Sequence, residues 1–130
     1  MTVNITFSTD DKGITRYNGS LSVDSASLCR FHGLILEPGS ELPADAEELE
    51  ALGDRILTIN YLQEIVTAHE HRRRGYMAEA IKTLAHRTDY TMVIYPLALE
   101  ADDDPAAIEA LRSTYRRIGF KDLGPLMALT

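Results

Sequence analysis

The chain has 130 residues, of which 45% are hydrophobic, and this supplies enough apolar side chains for one globular domain over residues 1–130. Its formal net charge of -7 argues against general nucleic-acid binding, which needs a broad basic surface, and weakly favours a cationic partner. No apolar run approaches the roughly 20 residues of a membrane helix, and Met1 to Asp10 lack the layout of a secretion signal, so the cytoplasm is the expected location.

The first part of the chain predicts three strands and a short helix. Apolar and polar residues alternate over Val3–Phe7, which is typical of a half-buried strand. Strands over Thr15–Val23 and Leu28–Leu36 follow, and the short link between them predicts a hairpin. Ala44–Leu52 then predicts a short acidic helix that ends at Gly53.

The second part predicts strands that alternate with helices. Ile56–Thr67 is strand-like, but its alternation breaks at Leu62-Gln63-Glu64, which marks either a β-bulge or a strand that splays from its neighbour. A helix over Met77–Arg87 and a buried strand over Tyr90–Leu99 follow. The next helix runs from Pro105 to Ile118, with Asp104 as its N-cap, and its buried stripe consists of Ile108, Leu111, Tyr115 and Ile118. A strand pair near Phe120 and Leu126–Leu129 ends the prediction. A strand-helix-strand unit implies parallel neighbouring strands with a right-handed crossover.

A basic turn, His69-Glu70-His71-Arg72-Arg73-Arg74-Gly75, joins the interrupted strand to the next helix. The first amides of a helix lack intrahelical acceptors and lie at the positive end of the helix dipole, so this turn predicts an anion site suited to a pyrophosphate. Gly75 lets the backbone approach such a ligand closely. The alternative is a solvated basic helix start, which three arginines make electrostatically unfavourable without an anion.

Two motifs in this part resemble those of the GCN5-related N-acetyltransferase (GNAT) superfamily. The acetyl-CoA loop of that family reads Arg/Gln-x-x-Gly-x-Gly/Ala, and Arg72-Arg73-Arg74-Gly75-Tyr76-Met77 matches it except that Met77 stands where Gly or Ala is usual. The second motif is an aromatic residue four positions before Gly-Phe at the end of the following helix, which Tyr115-Arg116-Arg117-Ile118-Gly119-Phe120 supplies. The resemblance covers residues 56–130.

The resemblance implies a mixed α/β (α+β) fold. Its centre is a mostly antiparallel, twisted sheet of six or seven strands with a splayed parallel pair and flanking helices. The two helices that family members usually carry between their first and second strands are not evident in this sequence. The N-terminal helices are therefore expected to be reduced, which removes part of the usual acceptor site.

The resemblance also implies acetyl-CoA as co-substrate and no metal. The residues it assigns to the pyrophosphate are Arg72, Arg73, Arg74, Gly75, Tyr76 and Met77, with one arginine available for the 3′-phosphate of CoA. The residues it assigns to the pantetheine arm are Ile65, Val66, Thr67 and Ala68, through main-chain pairing of the strand-addition kind. The acetyl carbonyl would lie near the Val66 amide. Met77 either narrows this pocket or anchors the helix in the core.

Two residues are candidates for catalysis. The resemblance places Tyr115 where many members donate a proton to the departing thiolate, and the ordinary tyrosine pKa near 10 suits that step; the alternative is a tyrosine that only packs. Glu64 lies just ahead of the cofactor-binding segment, and burial would raise the pKa of its carboxyl enough to make it a base, direct or through water. The alternative is a solvated strand glutamate.

Other polar residues give weaker signals. His69 and His71 have suitable ordinary pKa values but lie beside the phosphate loop, and two ligands without a third are poor support for a metal. Asp102-Asp103-Asp104 either attracts a cationic acceptor or caps the helix. Cys29 is the one cysteine; it reads as a small buried residue, and its distance along the chain from the motifs argues against a covalent acetyl-enzyme.

The sequence therefore predicts an acetyl-CoA-dependent N-acetyltransferase acting by direct attack in a ternary complex. Its acceptor is an amine, with a protein or peptide amine slightly favoured over a small molecule, and transfer of another acyl group stays open. The alternative is a non-catalytic CoA-binding or protein-interaction module with the same fold. A homodimer through the last strand or the N-terminal sheet edge is compatible with the pattern.

Overall fold

The computed structural model describes residues 2–53, 57–67, 75–96 and 105–129. In these ranges seven strands form one sheet: β1 Thr2–Thr9, β2 Thr15–Val23, β3 Ala26–Leu36, β4 Ile59–Thr67, β5 Thr91–Ile94, β6 Lys121–Leu123 and β7 Leu126–Leu129. A 3-10 helix spans Ala44–Leu52, and two α-helices follow, α1 over Tyr76–Thr88 and α2 over Pro105–Ile118. The strand order is β1-β2-β3-β4-β5-β7-β6. Neighbours are antiparallel except β4 and β5, which run parallel as predicted.

Tight turns connect the antiparallel strands. Asp24 and Ser25 both have positive φ, 50° and 67°, which the right-handed twist of a two-residue hairpin requires. Between β1 and β2 the Asp10 carboxylate accepts hydrogen bonds from the amides of Lys12 and Ile14 at 2.9 and 3.0 Å. This short turn occupies the position at which GNAT proteins usually insert two helices, so the expected reduction is confirmed.

A bulge in β4 confirms the interruption predicted from the sequence. Against β3, Glu64 lies opposite His32 and Leu62 lies opposite Gly33, so Gln63 is the extra residue. The parallel pairing with β5 ends at Leu62 and Ile94, while β4 continues to Thr67. The parallel pair therefore separates at the bulge.

The strand β5 is shorter than the prediction over Tyr90–Leu99. It ends at Ile94, and Pro96 follows two residues later, where a missing amide hydrogen cannot continue the pairing. Leu97 to Leu99 lie outside the described residues. Because β5 stops early, the segment of β4 after the bulge has no β5 partner within the described part of the chain.

Apolar layers cover both faces of the sheet. One face, called here the helical face, packs residues such as Phe31, Leu62 and Met92 against Ile81 and Leu84 of α1. The opposite face, called the 3-10 face, packs Leu34, Leu36, Tyr61 and Val93 against Ala46 and Leu49 of the 3-10 helix. Of the stripe predicted for α2, only Tyr115 is buried and the other members are half-buried. None of the helices described is long and apolar enough to cross a membrane.

A buried chain of hydrogen bonds ties the sheet to α1. The Tyr17 hydroxyl donates to Asn60 Oδ1, and Asn60 Nδ2 donates to Thr88 Oγ1 at 3.2 Å. Thr88 in turn donates to the carbonyl of Leu84 at 3.0 Å. Asn60 is fully buried, and a buried amide is tolerated because both ends of its side chain are bonded.

Candidate functional site

A cavity of about 320 Å³ lies between the end of β4, the start of α1 and the last turns of α2. Four residues that the sequence assigned to the cofactor line it, namely Thr67, Gly75, Tyr76 and Met77. The structure thus brings the strand segment and the helix start to one place. Ala68 and the three loop arginines, Arg72, Arg73 and Arg74, lie outside the described residues.

Gly75 forms the corner at which the chain enters α1. Its φ is 79°, in the left-handed region that favours glycine. A Cβ there would meet nothing within 4 Å, so the backbone conformation, and not internal packing, requires glycine. Because this N-cap has no side chain, no side chain of its own caps the first-turn amides of Met77 and Ala78, and a helix start of this kind suits an anion.

Met77 lies between the core and the cavity. It is half-buried and packs against the core of the helical face. It also lines the cavity. A methionine in place of the usual small residue therefore narrows the cavity while it anchors the first turn of α1.

The strand segment after the bulge runs beside the gap between β4 and β5. Ile65 is half-buried and packs against the core of the helical face, and Thr67 lines the cavity. Val66 lies between them and pairs in register with Arg30 of β3. A strand that pairs on one side only can accept an extended, amide-bearing arm on the other.

Tyr115 is buried on the helical face. Its ring lies edge-on to Phe120, with 5.6 Å between centroids, and 7% of the residue is exposed. Burial, with a smaller contribution from the Cys29 thiol, raises the pKa of Tyr115 to about 12, above the ordinary value near 10. The hydroxyl is therefore protonated at neutral pH, and it can stabilise a thiolate as a hydrogen-bond donor more readily than by complete proton transfer. The cavity is lined by its neighbours Thr114 and Ile118, not by Tyr115 itself.

Glu64 lies on the other face of the sheet. Its carboxylate Oε2 is 3.4 Å from His32 Nε2, and the two side chains are 43% and 49% exposed. His32 lies on the same face of β3 as Leu34 and Leu36, which pack under the 3-10 helix. Glu64, which pairs with His32, is therefore on the 3-10 face, whereas Tyr115 is on the helical face. Glu64 is exposed, so the burial expected for its carboxyl is wrong.

The protein is similar in structure to several solved proteins, although its sequence is not. No protein-family model matches the sequence, and no curated protein matches it. An acetyltransferase assigned to the GNAT family from Bacteroides thetaiotaomicron aligns with a TM-score of 0.53 at 12% identity, over 87% of this chain and 59% of its own. An N-acetyltransferase from Staphylococcus aureus Mu50 gives 0.53 at 14% identity, over 86% and 69%. AtaTR bound with AcCoA gives 0.51 at 10% identity, over 98% and 92%.

The protein has a GNAT fold. Identities of this size establish the fold alone, and the chain spans 59% of the length of the first of these proteins and 69% of the second. All three comparisons support the GNAT fold that the two sequence motifs implied. The neighbours named are acetyltransferases or an acetyl-CoA complex.

Within this GNAT fold Cys29 lies closer to the motifs than the sequence suggested. It is opposite Thr67 in the β3–β4 register, and its thiol contributes to the raised pKa of Tyr115. The expectation that no cysteine lies near the motifs is therefore wrong, because Cys29 is distant from them along the chain but close to them in the fold. Cys29 is 1% exposed, and burial raises the pKa of its thiol, partly offset by a hydrogen bond with Thr67. A buried, protonated thiol is a poor nucleophile, so Cys29 acts as the small buried residue predicted.

Five lining residues of the cavity were not assigned to it from the sequence: Ala78, Lys82, Thr114, Arg117 and Ile118. Helical spacing could have placed Lys82 at the cavity, because Lys82 follows Ala78 by one turn and so lies on the same side of α1. No comparable signal exists for the α2 residues, because their position depends on how α2 packs. His69, His71 and Asp102 to Asp104 lie outside the described residues, and elsewhere in the described ranges no group of three or more His, Cys, Asp or Glu could hold a metal ion.

Proposed function

We propose that this protein is an acetyl-CoA-dependent N-acetyltransferase that moves an acetyl group to an amine by direct attack in a ternary complex. The observation that carries the proposal is the separation of β4 from β5 beside a cavity at the start of α1. In the described ranges, one continuous site thus offers a strand edge that β5 does not cover, for a pantetheine arm, and helix amides for a pyrophosphate. Acetyltransferases with the same fold support the assignment.

The cofactor-binding residues of the proposal divide into two groups. The main chain of Ile65, Val66, Thr67 and Ala68 pairs with the pantetheine amides, and the Val66 amide polarises the acetyl carbonyl. The pyrophosphate is bound by the turn from Arg72 to Met77, where Gly75 keeps the left-handed backbone that starts α1. Charge-assisted hydrogen bonds from the arginines add to the amides.

The catalytic residues act from opposite faces of the sheet. Tyr115, on the helical face, donates a hydrogen bond to the sulfur as the thioester bond breaks. Glu64, on the 3-10 face, accepts the proton of the attacking amine, directly or through water. In this arrangement the acetyl group lies in the gap, with the donor on one side of the sheet and the acceptor on the other.

The 3-10 face carries carboxylates next to β4 that suit a cationic amine. Asp45 accepts a hydrogen bond from Gln63 at 3.0 Å, and Glu48 accepts one from the Tyr61 hydroxyl. Glu64 lies beside them in β4. Arg16 neutralises Asp45 and lowers the pKa of that carboxyl to about 2, so Glu48 and Glu64 are left for the acceptor. We assign the acceptor as a cytoplasmic protein or peptide amine, with a homodimer as a compatible assembly.

A thiol-release assay tests the proposal. The protein is mixed with acetyl-CoA and a panel of amines, peptides and cell lysate, while calorimetry measures CoA binding separately. We expect CoA to bind and free thiol to appear only with an acceptor, and mass spectrometry of the lysate to identify the acetylated amine. Failure of CoA to bind would exclude this function and the CoA-binding form of its alternative, and would leave a protein-interaction module with the same fold.

The alternative is a CoA-binding module without turnover, and the separation of Glu64 from Tyr115 favours it. On that reading the fold keeps the donor site, while the two polar side chains serve only packing and surface charge. The same assay distinguishes the two. Tight CoA binding with no acetylated product from any acceptor would select the module.

Replacement of Gly75 with valine is expected to weaken CoA binding by about tenfold or more, because hydrogen bonds to a charged ligand are each worth about 1.5–3 kcal/mol. The variant cannot keep the left-handed corner that aims the first amides of α1. Gly39→Val is a matched control, since Gly39 has the same φ of 79° and equally open surroundings but does not line the cavity. Calorimetry should show normal CoA affinity for Gly39→Val; normal affinity for Gly75→Val would refute the placement of the loop.

A further inference from the structure

The first strand, β1, forms one edge of the sheet and pairs with β2 alone in the part of the chain that the structure describes. It is eight residues long, its register against β2 is regular, and its sequence contains no charged residue and no proline. Edge strands of soluble proteins are usually short, charged or bulged, because a free edge recruits another strand. β1 is long, uncharged and unbulged, so it has the form of a strand that pairs further.

The strand at the opposite edge, β6, shows the contrast. It has three residues, of which Lys121 and Asp122 are charged. Arg112 and Arg116 of α2 lie 3.3 and 3.0 Å from the Asp122 carboxylate. This edge is therefore short and carries ion pairs, which are devices that discourage pairing. Of the two edges that the sequence left open for an assembly, the structure favours β1.

The backbone groups of β1 that point away from β2 belong to its odd-numbered residues. A Cβ at Gly19 of β2 would lie 2.4 Å from the Asn4 carbonyl oxygen, so this carbonyl points towards β2. Successive residues of an antiparallel strand direct their amide and carbonyl groups to alternate sides, so the groups of Val3 point outwards. Arg87 of α1 donates to the Val3 carbonyl at 3.1 Å, which agrees with that direction.

The side chains of β1 are arranged symmetrically about Ile5. Polar and apolar residues alternate over Thr2–Ser8, and Val3 and Ile5 pack against the core of the helical face. Phe7 ends this apolar row; it is 51% exposed, and its ring centroid lies 6.0 Å from that of Tyr17. The order of polar and apolar side chains is the same in both directions along the strand. A two-fold interface between identical chains needs this kind of self-complementarity.

We propose that β1 is a dimer interface, at which two copies of the chain pair their β1 strands antiparallel about a two-fold axis at Ile5. Val3 would then lie opposite Phe7 of the partner subunit, so that apolar side chains cover the exposed ring. Arg87, which is held at the Val3 carbonyl, would lie over the same ring in a cation–π contact. The carbonyl can accept from both Arg87 and the partner's amide because it has two lone pairs.

Charge does not oppose this pairing along the strand. None of the carboxylates that give the chain its net charge of -7 belongs to β1. Asp10, the first residue after the strand, lies 3.0 Å from Arg16 and is balanced by it. The interface is also separate from the cavity, which is lined from β4, α1 and α2. The inference therefore does not depend on acetyl transfer.

Sedimentation equilibrium, with light scattering after gel filtration, tests the dimer. We expect the wild type to have twice the 14.5 kDa mass of one chain and to dissociate on dilution. Phe7→Lys should raise the dissociation constant of the dimer about tenfold or more, because it places a charge within the apolar row of each chain. Leu123→Lys is the matched control at the β6 edge, since Leu123 is 47% exposed and Phe7 is 51% exposed. It should leave the dissociation constant unchanged.

Cross-linking tests the position of the two-fold axis. Directly opposite, hydrogen-bonded residues have Cα atoms about 5.5 Å apart, within the range that a disulfide spans. Mild oxidation should therefore join two chains of the Ile5→Cys variant. Thr9→Cys is the control, because its thiols lie far from the axis and should stay free. The native Cys29 is 1% exposed and should not cross-link.

The outcomes are separable. A wild type that is monomeric at every concentration would overturn the inference and leave β1 to a partner other than a second copy. Equal dissociation constants for Phe7→Lys and Leu123→Lys would overturn it as well. If Phe7→Lys does not fold, the cross-linking decides, and a failure of Ile5→Cys to link would overturn the two-fold pairing. None of these readouts uses CoA, so each of these results leaves the proposed function standing.

Discussion

Gly33→Ala is expected to destabilise the protein by about 3 kcal/mol or more, the upper range for an overpacked core. A Cβ at Gly33 would lie 2.2 Å from the backbone carbonyl of Tyr61 and 2.5 Å from the Tyr17 hydroxyl. The carbonyl belongs to β4 immediately before the bulge and cannot move without disturbing the sheet. The hydroxyl donates to Asn60 in the buried chain that reaches α1. Urea unfolding should show a lower midpoint with an unchanged slope.

Two comparisons identify the cause. Arg30→Ala, at an exposed residue of the same strand, should change the free energy of unfolding by no more than about 0.5 kcal/mol. Tyr17→Phe in the Gly33→Ala background removes the hydroxyl but leaves the carbonyl contact, so it should restore only a small part of the loss. Stability close to wild type for Gly33→Ala would mean that β3 and β4 lie further apart than the structure shows.

Much of the fold is predictable because it depends on local sequence. The hairpin at Asp24-Ser25, the helix that starts after Gly75 and the interruption at Leu62-Gln63-Glu64 each follow from a short pattern of turn residues or side-chain alternation. The two GNAT motifs add the order of the strands around them. A few residues at the right spacing are enough to predict each of these features, since turn and strand geometry depend on the residues of the turn or strand itself.

The faces of the sheet are not predictable in the same way. By simple alternation Glu64 would lie on the same side as Leu62, on the helical face. The extra residue Gln63 reverses the parity of everything after it, so Glu64 pairs with His32 on the 3-10 face while Leu62 packs under α1. The sequence indicates an interruption, either a bulge or a splayed strand, but not which residue would be left unpaired, and that residue decides on which face the candidate base lies.

Residues distant in the chain are a second limit. Cys29 meets Thr67 and Tyr115 only because β3 pairs with β4 and α2 packs over both. Arg117 reaches the cavity for the same reason. The early end of β5 is also not predictable from local sequence, because a largely apolar run predicts a buried strand whether or not a neighbouring strand is there to pair with it. Tertiary packing, not local preference, places these residues.

The gap between β4 and β5 reconciles the two faces. A buried tyrosine on one side and an exposed glutamate on the other look unrelated in the folded chain. A thioester that passes through the gap would present its sulfur to the helical face and its carbonyl carbon to an amine on the 3-10 face. Under the proposed transfer, this separation would place the donor on the side of the helices and the acceptor on the opposite face; under the alternative module, the two residues have no joint role.

Tyr115→Phe is expected to lower kcat for acetyl transfer by about 100-fold, the lower range for a positioned acid, with the KM for acetyl-CoA unchanged. The hydroxyl has no hydrogen-bond partner among the described residues, and phenylalanine keeps the edge-on contact with Phe120. Loss of a hydroxyl that makes no hydrogen bond within the described residues leaves no partner unsatisfied and is close to neutral. Thermal unfolding should therefore occur close to the wild-type temperature while turnover falls.

Tyr17→Phe supplies the opposite pattern and so the control. Tyr17 is also buried, but its hydroxyl donates to Asn60, and its removal leaves a buried amide oxygen without that donor at a cost of about 1–3 kcal/mol. This variant should unfold earlier and, where folded, turn over normally. A reduced kcat in both variants to the same extent would show that turnover follows stability alone. An unchanged kcat in Tyr115→Phe would leave Tyr115 as a packing residue and strengthen the case for a module that binds CoA without transferring its acyl group.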